Sequence, residues 1–322
     1  MSEYKTIHGQ KVQVVSSDPS NPQNGQVWYN TTSNIIKVAS IQTSGTWASG
    51  GNMSTARRQL GGTGTQTAAL AFGGTTGSIT SGTEEYDGSS WTAGGNLATA
   101  RALMDGAGTQ TAGLGFFGSA PSNNANTEEY NGTSWTSGGS LNNGRAGAGA
   151  GTQTAGLAFG GGNTYTSTAE QTEEYDGSSW TTSNNYPIRV VDHGAAGIQT
   201  DALGIAGYGT GYNQIDTVNE YNGTSWTAGG TYPVGTASNR GAGASTSAAL
   251  SCGGIYNTDT RHYDGSSWTT GGSLSTGRYL HNTAGTLVSA LAFGGSNPSN
   301  NYLSQTEEYT GPGLVTQTIT TS

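Results

Sequence analysis

The sequence predicts an all-β protein: six similar four-stranded sheets closed into a ring, with a small β-meander in front of them. One observation behind this is a short string that returns with small edits. Tyr86 to Trp91 reads YDGSSW, and it recurs as YNGTSW ending at Trp135, YDGSSW at Trp180, YNGTSW at Trp226 and YDGSSW at Trp268. Another is its period. Counting Trp47, six tryptophans lie 44, 44, 45, 46 and 42 residues apart, and regularity of this length marks a repeat architecture. The third is glycine, 55 of 322 residues, which suits many tight turns and closely approaching backbones.

Residues 1–40 stand outside the period. KVQVV alternates around Val12 and Val14, SDPSNPQNG is dense in turn formers, QVWYN is strand-like, TTSN turns again and IIKVAS makes a third strand. An antiparallel meander is expected here. The stretch DPSNPQNGQVWYNTTSN resembles N-terminal segments of bacteriophage tail-fibre and other virion proteins, over fewer than 30 residues. That resemblance implies attachment to a particle.

From residue 41 each repeat carries the same four elements. Asp-Gly or Asn-Gly between strand-like residues signals a tight hairpin, with Gly at the φ > 0 position of a type I′ turn; the Tyr before it and the Trp after it put two rings on one ribbon. The segment after the repeat arginine is nearly free of side chains, as in RAGAGAG from Arg145 and RGAGAS from Arg240, which assigns it to the innermost strand beside a narrow axis. QTAALAFGG is the second strand, apolar because both faces are covered. EEY is the third strand and SSW the outermost.

The order Trp, Arg, Gly-Gly doublet, Tyr resembles the kelch repeat from about residue 41 to 310, which implies a six-bladed kelch-like β-propeller. Two copies depart from the pattern: Thr236 stands where the fifth arginine belongs, and Arg189 comes one residue early. The last copy reaches Tyr309 without a Trp and the first has Trp47 without its Tyr, so the strand around Trp47 is expected to complete the final blade. The C-terminal GLVTQTITTS (within 311–322) either competes for that place, forms a tail, or pairs with the N-terminal meander.

Charge excludes one class of partner. With 11 Lys and Arg against a net charge of −9, no basic stripe is present for nucleic acid. Nothing approaches the apolar run of a membrane span, and MSEYKTIHGQKVQVV lacks the apolar core of a secretory signal, so neither export by that route nor membrane insertion is expected. Cys252 is the only cysteine and, in LSCGG, reads as a buried apolar thiol.

Few residues carry candidate chemistry. Glu84 and Glu85 point to opposite faces of a strand, so the repeated EEY reads as structure, paired with Arg57, Arg101, Arg145 and Arg278 at the joints between blades. His193 and His281 fall 13 residues after their tryptophans and could face the central channel together, near Asp192 and Asp105. No metal site, cofactor or catalytic residue is expected. The divergent parts are the loops between second and third strands, which bring Tyr165, Tyr208, Tyr212, Tyr256 and Tyr302 among Asn, Thr and Ser. A constant frame with varied loops is how binding faces are built, and tyrosine rings with amides suit sugars or a polar protein surface.

The expected function is therefore non-enzymatic: a virion-associated tail or fibre protein, made in the host cytoplasm. Its N-terminal segment would join other virion proteins while the propeller binds a host glycan or surface protein or decorates the particle. An intracellular kelch-type interaction module and a kelch-type oxidase or glycosidase remain alternatives, because fold alone does not fix function.

Overall fold

The computed structural model describes residues 12–23, 25–42, 44–119, 123–162 and 167–319, apart from the side chains at 40–42, 167–168 and 314–318. The chain divides into two units, one from both chain ends (1–45 with 311–322) and one spanning Thr46–Thr310.

The smaller unit is a four-stranded sheet in the order Gln13–Val15, Val27–Asn30, Ile35–Gln42, Gly313–Ile319. Its first pair is parallel, with Gln13 opposite Trp28, so the antiparallel meander expected here is corrected. A parallel neighbour requires the chain to return to the same end of the sheet, and Pro19 and Pro22 after the first strand disfavour a tight hairpin there. Asp18 fixes the link between the two strands: its carboxylate accepts from Trp28 Nε1 (3.0 Å), Asn30 Nδ2 (2.7 Å) and Lys37 Nζ (2.5 Å). These donors hold the Asp18 carboxyl down at about 2. The C-terminal strand runs antiparallel to Ile35–Gln42.

The larger unit is a six-bladed propeller. Blade one comprises Gly61–Thr65, Ala68–Phe72, Thr83–Tyr86 and Trp91–Ala93. Blade two has Ala102–Gly108, Gly113–Ser119, Glu128–Tyr130 and Trp135–Ser137. Blade three has Ala148–Thr152, Ala155–Phe159, Thr172–Tyr175 and Trp180–Thr182. Blade four has Gly194–Ile198, Asp201–Tyr208, Gln214–Tyr221 and Trp226–Ala228. Blade five has Arg240–Ser245, Ala248–Cys252, Thr260–Tyr263 and Trp268–Thr270. Blade six has Asn282–Thr286, Ser289–Phe293 and Thr306–Thr310, and its outer strand is Thr46–Ser49, antiparallel to the third with Trp47 opposite Tyr309. Each inner strand neighbours the next, and the inner strand of blade six neighbours that of blade one.

Local chemistry explains the blade, with two corrections. The YDGSSW turn is not a two-residue type I′ turn. Tyr86 pairs with Trp91 around four residues, and Asp87 Oδ1 accepts from the N–H groups of Ser89 (2.8 Å) and Ser90 (2.7 Å). Only Gly88 takes positive φ, +90°, and Asn131 holds its turn in the same way. The lean inner strand also has a closer cause than the axis. A Cβ on Gly149 would lie 2.3 Å from Phe116 Cζ, and one on Gly62 would lie 2.6 Å from Phe293 Cζ. In each case the ring belongs to the preceding blade.

Polar ties bind each blade to its predecessor. Trp91 Nε1 donates to Thr306 Oγ1 (2.9 Å), Trp135 to Thr83 and Trp180 to Thr127. In the turn between first and second strands, Gln66 Nε2 donates to the carbonyls of Ala290 (3.0 Å) and Tyr309 (2.7 Å); Gln110, Gln153 and Gln199 repeat this. The tyrosine hydroxyls donate to glutamates of the preceding blade: Tyr86 to Glu308 (2.5 Å), Tyr130 to Glu85, Tyr175 to Glu129 (2.6 Å), Tyr221 to Glu174 and Tyr263 to Glu220 (2.6 Å). Burial and the adjacent carboxylate push these phenols up to about 12. At the sixth seam His262 Nε2 meets Tyr309 Oη at 2.5 Å. The ties between blades one and six repeat those elsewhere, so the ring is closed.

Candidate ligand-binding face

The loops between second and third strands lie on the same face as the connections between blades. Thr75 pairs with Arg58 and Ser296 with Tyr279, each pair joining such a loop to such a connection, and Ile215, at the start of blade four's third strand, pairs with Thr236 in the next connection. Buried ion pairs fix the bases of these loops. Arg57 reaches Glu84 (3.0 Å) and also donates to the Gly82 carbonyl (2.7 Å), at the end of the first loop. Arg101 bonds Glu128 (2.8 Å) together with the carbonyls of Phe117 and Asn126, and Arg278 bonds Glu307 (2.6 Å) and the Gln305 carbonyl. Arg145 pairs with Glu173. Thus the two glutamates of EEY divide their work. The first pins a loop base, and the second takes the tyrosine of the next blade.

On this frame sit two runs of aromatic and polar side chains. Tyr208 and Tyr212 meet edge to face at 6.1 Å, and Tyr212 is 60% exposed. Tyr256, 66% exposed, meets Tyr279 edge to face at 5.9 Å. The Tyr279 hydroxyl donates to Asn300 Oδ1 (2.9 Å), which also accepts from Arg58 (2.6 Å). The Arg58 guanidinium in turn lies 4.9 Å from the centre of the Tyr302 ring. The Tyr208 phenol is raised first by burial and then by the Asp192 charge. Tyr212, Tyr256 and Asn300 all hold left-handed φ, between 56° and 62°, a conformation asparagine adopts readily but one that is costly for tyrosine.

Of the tyrosines expected from sequence, Tyr208, Tyr212, Tyr256 and Tyr302 lie on this face, while Tyr165 falls outside the described residues. Sequence reasoning missed Arg58 and Tyr279. Each directly follows a repeat arginine and was absorbed into the frame, yet Ala102 and Ala146 hold that place in other copies. A large side chain where the repeat otherwise tolerates alanine was the available signal.

Of the residues expected at the channel, Asp105 lies there but the two histidines do not meet in it. His193 is buried against Phe159 (5.2 Å between ring centres) and Tyr186 (5.8 Å), filling the seam between blades three and four. His281 lies in another seam, with Nε2 3.7 Å from Cys252 Sγ. The two histidines therefore do not share the channel. Packing decides this: the residue three after the repeat-arginine position fills a seam, as Leu60 and Met104 do in blades one and two. Asp105, Arg240 and Asn282 line the channel instead, around about 120 Å³. Asp105 accepts from the N–H groups of Gly106 (2.9 Å) and Gly149 (3.0 Å), and burial raises its carboxyl against the pull of Arg240.

A cavity of about 350 Å³ opens at the channel mouth on the loop face, bounded by Gln59, Asp192, His193, Tyr212 and Arg240. The mouth is rimmed by left-handed Gln59, Leu103, Asp192, Ser238 and Leu280, joined in part by backbone bonds from Gln59 N to Leu280 O, Leu103 N to Gln59 O and Ser238 N to Asp192 O. Among the described residues, no group of three or more His, Cys, Asp or Glu is placed to hold a metal ion. No helix among them is long and apolar enough to cross a membrane. Cys252 is fully buried and its thiol is pushed up to about 12. It should stay unlabelled by maleimide in the native protein and label promptly in urea; equal rates would contradict this burial.

No family model and no curated protein matches the chain. Among solved structures, YjhT, a protein of propeller-type fold, superposes with a TM-score of 0.66 at 15% identity, over 82% of this chain and 99% of that one. The fold is a β-propeller. At that identity the likeness carries the fold and nothing finer.

Proposed function

We propose that this protein binds by its loop face and performs no catalysis. In this reading it is a virion-associated tail or fibre protein of a kelch-like kind. The smaller unit joins the particle, and the propeller meets a glycan or protein of the host surface. The observation that carries the reading is the contrast between frame and face. The seams repeat the same Trp, Tyr and Gln ties, whereas the loops differ in length and composition and expose Tyr212 and Tyr256 in costly backbone conformations. The short N-terminal resemblance to phage fibres supplies the setting. Peptide mass spectrometry of density-purified particles tests it: the chain should co-purify with particles, and antibody labelling should place it on the tail. Absence from purified particles, with the chain left in the soluble lysate, would overturn the virion assignment and favour a free interaction module.

A further inference from the structure

The rings on the loop face extend over several blades, which bears on what they would hold. One run starts at the rim of the mouth cavity with Tyr212, on blade four, and continues through Tyr208. A second run on the same face leads from Tyr256, on blade five, through Tyr279 to Asn300 and Arg58, at the entrance to blade one. A single pocket would gather such groups around one point; here they are strung out.

Their chemistry also selects. Tyr256 and Tyr212 offer exposed ring surface, which covers an apolar patch at small conformational cost. Between the rings, polar atoms are held in place before any ligand arrives. Asn300 is fixed by Arg58 and Tyr279, and its loop is fixed in turn because Asn297 Oδ1 accepts from the N–H groups of Ser299 and Asn301. Preorganised amide, guanidinium and hydroxyl groups alternating with rings match a polymer that alternates C–H faces with hydroxyls. An apolar helix would need a continuous groove, and a nucleic acid would need a basic stripe; these runs have one arginine.

We propose that the ligand is an oligosaccharide chain laid along these runs, contacting several consecutive sugars, with Tyr256 and Tyr279 as the central platform. The proposal rests on the loop-face reading above and names its ligand class. Affinity should therefore rise with chain length, because each added sugar meets a further ring in an already ordered site.

The test uses the full-length protein on an array of bacterial O-chain and capsular polysaccharides, with fragments of each graded in length from a single sugar upward. Binding should strengthen with length and then level off. Tyr256→Ala, at an exposed position, should weaken binding of the longest fragments by roughly tenfold or more while leaving single sugars unaffected. The pair Tyr256→Ala with Arg58→Ala should weaken it further, and Val288→Ala, on the opposite hairpin end, should change nothing. Binding that is independent of length, or indifferent to Tyr256, overturns the proposal and spares the parent reading. Adsorption of the protein to intact bacteria separates the remaining outcomes. Adsorption destroyed by protease but not by periodate makes the partner a protein and overturns the saccharide. No adsorption at all sinks both readings.

Discussion

Replacing Arg101 by methionine should destabilise the protein by about 3–5 kcal/mol, the usual cost of leaving a buried carboxylate without its cation. Arg101 is fully buried, and burial pushes the guanidinium down even with Glu128 only 2.8 Å away. The ion pair has therefore given up its water and depends on its geometry. Equilibrium urea unfolding would read the loss as a fall in midpoint at constant slope. A loss below about 1 kcal/mol, typical of an exposed pair, would mean that water reaches the site. Removing both charges, as Arg101→Met with Glu128→Leu, should recover part of the loss, since an apolar pair can replace a buried ionic one at little cost. Recovery should stay incomplete because Arg101 also donates to the carbonyls of Phe117 and Asn126. Those groups would be left without their donor at the base of a loop.

In two blades the repeat already lacks this ion pair. Counting back from the first inner-strand residue, blade four has Val190 where the arginine would stand and Asn219 where the glutamate would; both are buried. Tyr186 fills the neighbouring space beside Phe159. Blade five has Thr236 and Arg261, and its arginine turns outward to Asp259 (2.7 Å). Tyr208, Tyr212 and Tyr256 lie at or near the loops of these two blades, which are released from the pinning motif. The frame is relaxed where the face is most aromatic.

This division marks what the sequence made legible. Blade count, strand order within each blade and the Arg–Glu pairing could be read because they repeat, and a repeat is its own alignment. Gln66 and its three counterparts were read as the start of the second strand, whereas they lie in the turn before it, and nothing local shows that such a glutamine reaches two carbonyls of another blade. The histidines were placed in the channel from register alone. Register gives a position along a strand, but which way the residue before the strand turns is decided by space in the seam. At the site, Tyr256 and Tyr302 were visible as loop tyrosines. Arg58 and Tyr279 were hidden by their place next to the repeat arginine. The parallel pairing of Gln13–Val15 followed from a non-local contact of Asp18, which no alternation pattern encodes.

Those same seam histidines should make the propeller lose stability in mild acid. His193 has its imidazole pushed down to about 3 by burial and by Arg240, and His281 is held well below its usual range by burial and by Arg278 and Arg240. Unfolded, each would bind a proton near pH 6.5. As pH falls below 6.5, the unfolded chain takes up protons that the folded one refuses. Stability should drop by roughly 1.4 kcal/mol per pH unit for each histidine, or about 3 kcal/mol per unit for the two. The loss continues until the folded values are reached. His262, also lowered by burial, adds in the same direction. Asp105 and Asp192 act oppositely: burial raises both, so the folded protein binds their protons first and gains stability as pH falls through those raised values. The histidine contribution can be isolated by putting leucine, the residue at the equivalent place in blade one, at both positions. His193→Leu with His281→Leu should flatten the fall in urea midpoint between pH 6.5 and 5 while leaving the midpoint at pH 8 little changed. An unaltered slope would mean that both imidazoles accept protons in the folded state, which the burial of His193 beside Phe159 and Tyr186 and of His281 beside Cys252 opposes.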